Sequence, residues 1–309
     1  MSMIPPREAV RTFPPSGLAK TELASPRTVA EACDLLARSA LEGKRTVMLA
    51  GGTDWIVDRH LMPVEKALPV DRVIDLTRIA SLSSIGFREE SGERWMTLGG
   101  GVTYWALRRD ARVLGTVPML ASMAADVGAV QIQTRGTLAG NLASASPAAD
   151  GVPALMALDG VVVMTSTRGE RRAPVERFFT AYRKTVLEKD ELITAVDVRI
   201  PKDGATVTWR KVGTRLAQAI SKVALAAVIE RDANEVVTRA RFGMASVGPT
   251  TASMVHVRAL LEGKSLATVD RASLDAAVAK DVTPIDDVRS TGEYRMHVAK
   301  TLVWRALHP

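Results

Sequence analysis

The 309-residue sequence predicts an α+β protein in two parts, residues 1–184 and 185–309. Three observations carry that expectation. Residues 46–50, Thr-Val-Met-Leu-Ala, form a short apolar strand that runs straight into Gly51-Gly52, the signature of a strand feeding a loop and helix. Alternating runs paired across glycine-containing turns recur at 82–98 and 161–175, which is hairpin patterning. After residue 185, runs of strand character at 195–200, 206–212, 223–229 and 236–245 give way to helical periodicity. Strands followed by helices in series describe a separate C-terminal module of antiparallel sheet plus helices.

The elements follow in order. Residues 1–24 carry Pro5, Pro6, Pro14 and Pro15 with no clear period and read as an irregular arm. Thr28-x-x-Glu31 is a capping box, and Val29, Ala32, Cys33, Leu36 and Ala40 recur at helical spacing until Gly43. Cys33 falls on that apolar face as an inert core thiol. Residues 46–50 are expected to be a buried strand. Residues 55–63 read as helix or loop, with His60 a surface group rather than a catalytic base. Residues 72–76 form a strand, and 82–87 with 94–98 a hairpin across Glu89-Glu90-Ser91-Gly92. Gly99-Gly100-Gly101 then breaks the strand, either as a plain elbow or as a place where backbone approaches a ligand, before Thr103 caps a short helix. Residues 118–127 form a small-residue helix with Pro118 in its first turn. Residues 161–165 and 171–175 pair around Arg168-Gly169 as the last strands of the first part. In the second part, turns fall at 201–204 and 232–234, and helices at 251–261, 272–279 and 292–307. The last opens with a Ser290-x-x-Glu293 capping box and puts Tyr294, Val298 and Leu302 on one face.

Composition narrows the function. Hydrophobic content of 47% with 24% charge belongs to an ordinary soluble globular protein. The net charge of +7 permits nucleic-acid binding, but 34 acidic residues are interspersed among 41 basic ones and aromatics reach only 4%. That is too sparse for a base-stacking platform, so no nucleic-acid partner is expected. A solvated face, or a surface meeting acidic partner subunits, accounts for the charge. Cys33 is the sole cysteine, which excludes an intramolecular disulfide. An iron–sulfur cluster needs about four thiolates from its own chain. His60, His256, His297 and His308 are scattered without ligand spacing, so no metal site is expected. No leader-like start and no apolar run near ~18 residues are present, pointing to a cytoplasmic protein without membrane insertion. No acid–base pair or nucleophile stands out as catalytic.

Two stretches look unlike ordinary core or surface. Gly51-Gly52-Thr53-Asp54 leaves a strand end, where consecutive backbone amides can converge into an anion-binding nest. It is neither a Walker loop nor a G-x-G-x-x-G fingerprint. Residues 137–150, Thr-Leu-Ala-Gly-Asn-Leu-Ala-Ser-Ala-Ser-Pro-Ala-Ala-Asp, carry no charge until Asp150 but supply Thr137, Asn141, Ser144 and Ser146 among small side chains. This stretch reads either as a small-residue helix packed tightly on a neighbour or as a wall that reaches a ligand.

With both stretches in view, the chain resembles the FAD-binding medium subunits of the molybdenum hydroxylases, of the xanthine dehydrogenase, carbon monoxide dehydrogenase and 4-hydroxybenzoyl-CoA reductase type. The resemblance rests on Ala50-Gly51-Gly52-Thr53-Asp54 and residues 137–150. It is extended by Ala181-Tyr182-Arg183-Lys184-Thr185-Val186-Leu187 with Glu191-Leu192-Ile193, by Arg210-Lys211-Val212 with residues 219–223, and by Glu293-Tyr294-Arg295 with Val298-Ala299. It implies a two-loop FAD-binding domain of the vanillyl-alcohol-oxidase/PCMH-like kind over residues 1–184 and the family's C-terminal α+β domain over 185–309. By the same resemblance, Met48, Leu49, Ala50, Gly51, Gly52, Thr53, Asp54 and Trp55 track the FAD pyrophosphate and ribitol. Thr137, Gly140 and Asn141 form the second wall, Ser144 and Pro147 pack along the cofactor, and Asp150 binds ribose hydroxyls. Val127 sits near the flavin system, and Ile193 and Lys211 at the adenine or isoalloxazine end. An exposed charge on an alternating strand is the plain alternative for Lys211.

The family holds FAD without a covalent bond, and residues 46–55 contain no His or Cys. No cysteine-rich insertion and no fused molybdopterin or iron–sulfur domain is present. The resemblance therefore implies a separate electron-transfer subunit, with molybdopterin in a large partner and 2Fe-2S clusters in a small one, assembled as a dimer of heterotrimers. Electrons would leave through FAD to NAD⁺, a quinone or oxygen.

Overall fold

The computed structural model describes residues 20–61 and 69–308; the side chains of His60 and Leu61, and the arm before residue 20, lie outside the described residues. The chain begins with strand β1 (Glu22–Ala24), helix α1 (Val29–Leu41), β2 (Thr46–Leu49), α2 (Thr53–Leu61) and β3 (Arg72–Asp75). The strands form a parallel sheet ordered β1-β3-β2. Residues 22–24 are therefore strand, a correction to the irregular arm. Their pairing is with β3, some fifty residues on, and Arg72 of β3 is buried and bonds the Glu22 carboxylate at 2.8 Å. Helix α1 starts where the capping pattern puts it, Thr28 accepting from the Glu31 amide. Glu31 reaches back to the amide of Arg27 rather than that of Thr28. Cys33 is buried, and burial pushes its thiol above the usual range.

The second layer runs β4 (Ile85–Glu90), β5 (Glu93–Gly99), then six short helices: α3 (Tyr104–Arg109), α4 (Ala111–Thr116), α5 (Pro118–Ala125), α6 (Val130–Gln133), α7 (Leu138–Ser144) and α8 (Gly151–Ala157). Ser91 and Gly92 both have positive φ (54° and 76°), so the β4–β5 hairpin closes on the left-handed pair that a tight two-residue turn requires. After β6 (Val161–Ser166), β7 (Gly169–Pro174), α9 (Val175–Phe178), β8 (Phe179–Ala181) and β9 (Lys184–Thr185) comes β10 (Leu192–Arg199). An antiparallel sheet of five strands has the order β4-β5-β10-β6-β7. The strand expected at 195–200 in the C-terminal sheet is therefore the centre of this one, and the sheets divide after β10 rather than at residue 184. A strand sandwiched between two hairpins is read as local to neither from sequence alone.

The third layer is the antiparallel sheet β11 (Thr206–Val212), β12 (Val223–Arg231) and β13 (Val237–Ala245), followed by α10 (Val255–Leu261), α11 (Arg271–Asp281) and α12 (Gly292–Leu307). Helix α10 begins later than expected, because Ala252 pairs with Met244 across both backbone bonds and Met254 adopts a φ of 56°. Helix α12 is capped by Thr291, not Ser290, and its buried stripe is Arg295, Ala299, Leu302, Val303 and Ala306 while Tyr294 is exposed. Arg295 can enter that stripe because Asp287 and the Ser246 carbonyl receive its guanidinium.

Strand β12 joins the two parts through its pleat. Ala224, Ala226 and Val228 pack into the core of the first part, and Val223, Leu225, Ala227 and Ile229 into that of the C-terminal helices. A Cβ on Gly243 of β13 would lie 2.3 Å from the Pro153 carbonyl oxygen, so α8 rests directly on the third sheet. The C-terminal module is thus not free-standing.

Candidate functional site

Between the parallel sheet and the helices of the second layer lies a cleft of about 530 Å³. One wall is every residue from Met48 to Trp55. Strand β2 is half-buried along its length, not buried as its apolar sequence suggests, because this cleft runs beside it. Gly51 and Gly52 follow, and then α2 starts. A Cβ at Gly51 would stand 2.1 Å from the Arg135 carbonyl oxygen, and Gly52 has a φ of 71°, so both positions require glycine for different reasons. The amides of Gly51 and Gly52 make no hydrogen bond among the described residues, and they precede the first turn of α2, where unpaired amides and the helix dipole favour an anion.

The opposite wall is α7 and its cap. Thr137 accepts from the Gly140 amide at 3.0 Å, and Ala145 ends the helix with a φ of 48°. Only the first half of residues 137–150 is the small-residue helix, α7, and Thr137, Gly140, Asn141 and Ser144 line the cleft. Asn141 Oδ1 accepts from the Gly151 amide at 3.0 Å, and its Nδ2 has no protein partner among the described residues. Val127 and Ile193 also line the cleft, with Leu76, Ile132 and Leu192, and these add apolar surface to it.

Three of the expected residues stand elsewhere. Pro147 is off the cleft, its carbonyl accepting from the Ser246 amide at 2.8 Å. Asp150 is also off the lining: one oxygen takes Lys211 Nζ at 2.6 Å and the other the Ser221 hydroxyl. Burial raises its carboxyl above the usual range, and Lys211 opposes that shift. Lys211 is not an exposed strand charge; its side chain is 8% exposed and also donates to the Asp126 carbonyl at 2.8 Å. Lys211 lines a second cavity of about 470 Å³ with Asp126, Trp209 and Arg210. Both residues belong to the seam between the two parts, a placement that depends on how β11 packs and that no local spacing encodes.

The cleft residues that sequence reasoning missed include Leu76, Ile132, Leu192, Tyr104 and the backbone of Arg135 and Gly136. Tyr104 is buried and its hydroxyl has no hydrogen-bond partner among the described residues. Burial, and then the charges of Asp150 and Asp54, hold its phenol well above the usual range, so it stays protonated. Its place directly after the Thr103 cap was the available signal. The Gly99-Gly100-Gly101 elbow serves both readings: a Cβ on Gly100 would sit 2.3 Å from the Ile193 carbonyl oxygen, and Gly100 and Gly101 line the cleft. Taken together, unpaired amides beside a helix start, neutral donors opposite and apolar lining suit a ligand with a phosphate group and a flat ring.

Residues 19–203 match the family described as the FAD binding domain in molybdopterin dehydrogenase, and residues 209–309 the CO dehydrogenase flavoprotein C-terminal domain. The chain is 28% identical to the carbon monoxide dehydrogenase medium chain of Hydrogenophaga pseudoflava, covering 93% of this chain and 96% of that one. It is 27% identical to the xanthine dehydrogenase FAD-binding subunit of Escherichia coli O157:H7, covering 91% and 92%. The solved carbon monoxide dehydrogenase of Hydrogenophaga pseudoflava superposes with a TM-score of 0.82 at 25% identity over 94% of this chain and 96% of that one.

Proposed function

Since this chain belongs to the family of FAD-binding domains of molybdopterin dehydrogenases, we propose that it is the electron-transfer flavin subunit of a multi-subunit molybdenum hydroxylase. The observation that carries this reading is the cleft between the two loops, with the unpaired Gly51 and Gly52 amides on one side and Thr137 and Asn141 on the other. These groups suit the pyrophosphate of FAD, and Val127 and Ile193 offer the apolar surfaces a flavin ring needs. When bound, FAD would supply the redox chemistry that links iron–sulfur centres to NAD⁺, a quinone or oxygen. The chain's own contribution is to bind, orient and shield it. With no His or Cys in residues 46–55, the first loop holds the cofactor without a covalent bond.

Cys33 is the only thiol and is buried against the Thr165 carbonyl, so iron–sulfur ligands must come from another chain. Our reading places 2Fe-2S clusters in a small partner and molybdopterin in a large one, in a cytoplasmic dimer of heterotrimers. Asp150 and Lys211 support the seam that carries the cleft rather than touching ribose directly.

The test is the visible spectrum of the purified chain, alone and with its partners. The expected result is bound flavin that substrate bleaches only when partner subunits are present. Bleaching by a small substrate without partners makes the chain a self-sufficient flavoenzyme instead, and a colourless protein that takes up no FAD removes the flavin reading.

A further inference from the structure

Among the described residues, one hydrogen bond joins the two loops: Ser144 Oγ donates to Asp54 Oδ2 at 2.6 Å, across a sequence separation of 90. Asp54 stands in the first turn of α2, Ser144 is the last residue of α7, and both line the cleft. At its other margin the first loop meets the second through backbone, Gly51 against Arg135 and Gly136. The space between the loops is thus bounded twice. The backbone contact opens only if β2 or α6 moves; the side-chain bond opens with one serine rotamer change, a motion of picoseconds to nanoseconds for an exposed group.

Resting on the FAD reading above, we propose that the Asp54–Ser144 bond is a clasp that retains the dinucleotide, parting to admit it and re-forming once it is seated. An ionised carboxylate only accepts hydrogen bonds, and one standing free beside the Gly51 and Gly52 amides would compete with a phosphate for the same positive ground. The Ser144 hydroxyl ties that carboxylate to the opposite wall. Both residues are thereby positioning residues, acting through each other rather than as independent contacts to the cofactor. An exposed bond of this kind contributes little to folding, and its effect is on how fast the ligand leaves.

The experiment loads the chain with FAD and follows the regained flavin fluorescence after dilution, alongside the association rate. Ser144→Ala and Asp54→Ala are each expected to speed release roughly three- to tenfold, the range for losing a hydrogen bond to a charged group at a partly exposed site. Association is expected to change little, the double variant to release no faster than either single one, and Ser144→Thr to restore slow release. Release from Ser144→Ala at the rate of the unaltered chain overturns the clasp, as does a double variant whose effect is the product of the two singles. An unaltered chain that takes up no FAD overturns the FAD reading and the clasp with it, which is distinguishable from either result.

Discussion

At the scale of single residues, the site depends on positions where one atom decides the outcome. Gly51 has no room for a Cβ, since the obstacle 2.1 Å away is backbone and cannot swing aside. Gly51→Ala should therefore push the two loops apart and weaken FAD binding by roughly five- to a hundredfold, overpacking of this kind costing ~1–3 kcal/mol. Titration with FAD checks it, with circular dichroism confirming that the variant is folded. Lys211 is decisive in another way. Its removal leaves the Asp150 carboxylate buried, with Ser221 as its remaining hydrogen-bond partner among the described residues. Lys211→Met should cost ~3–5 kcal/mol of stability, the usual penalty for breaking a buried pair from one side. Denaturant unfolding measures that loss, and a loss under ~1 kcal/mol would show that the carboxylate is protonated or solvated instead.

At the scale of elements, local chemistry sets where helices begin and packing sets which face they bury. Thr28 and Thr103 cap their helices as the sequence pattern says, each accepting from an amide three residues on. In α12 the pattern puts the cap at Ser290, but the structure places it at Thr291, whose hydroxyl accepts from the Tyr294 amide. Thr291→Ala should then cost about 1 kcal/mol, whereas Ser290→Ala should stay within about 0.5 kcal/mol. Equal losses from the two, measured by chemical denaturation, would return the cap to Ser290. Much was legible at this level. The hairpins, the α5 start at Pro118 and the strands β11 to β13 lie close to where alternation and turn residues put them. The face of α12 was not, because Arg295 is buried only by virtue of Asp287 and the Ser246 carbonyl, which come from other segments.

At the scale of the whole molecule, the two parts are held by buried polar pairs as well as by the pleat of β12. Arg199 of β10 donates to the Glu230 carboxylate of β12 at 2.6 Å, and both side chains are 4% exposed. Burial opposes ionisation of Glu230, but the hydrogen bonds from Arg199 and the Lys202 amide outweigh it and hold the carboxyl below its ordinary value of 4.5. A depressed carboxyl contributes stability that is complete above the unfolded value and is lost as pH falls through the folded one. Acidification below about pH 4.5 should therefore lower the melting temperature. Glu230→Gln should start lower at neutral pH and show a shallower decline in acid. A variant with an unchanged acid limb would mean that other carboxylates govern it.

The sequence by itself determined the class of the protein, the two glycine-bearing loops and the residues those loops bring to the cleft. Those features are local: a glycine pair at a strand end, a capped small-residue helix and alternating strands each carry their conformation in neighbouring residues. The tertiary structure alone decided that β10 is the centre of the middle sheet, that residues 22–24 join the first one, and that Asp150 and Lys211 pair with each other at the seam. Each of those outcomes depends on partners tens of residues away, and burial of a charge is settled only when the group that compensates it arrives.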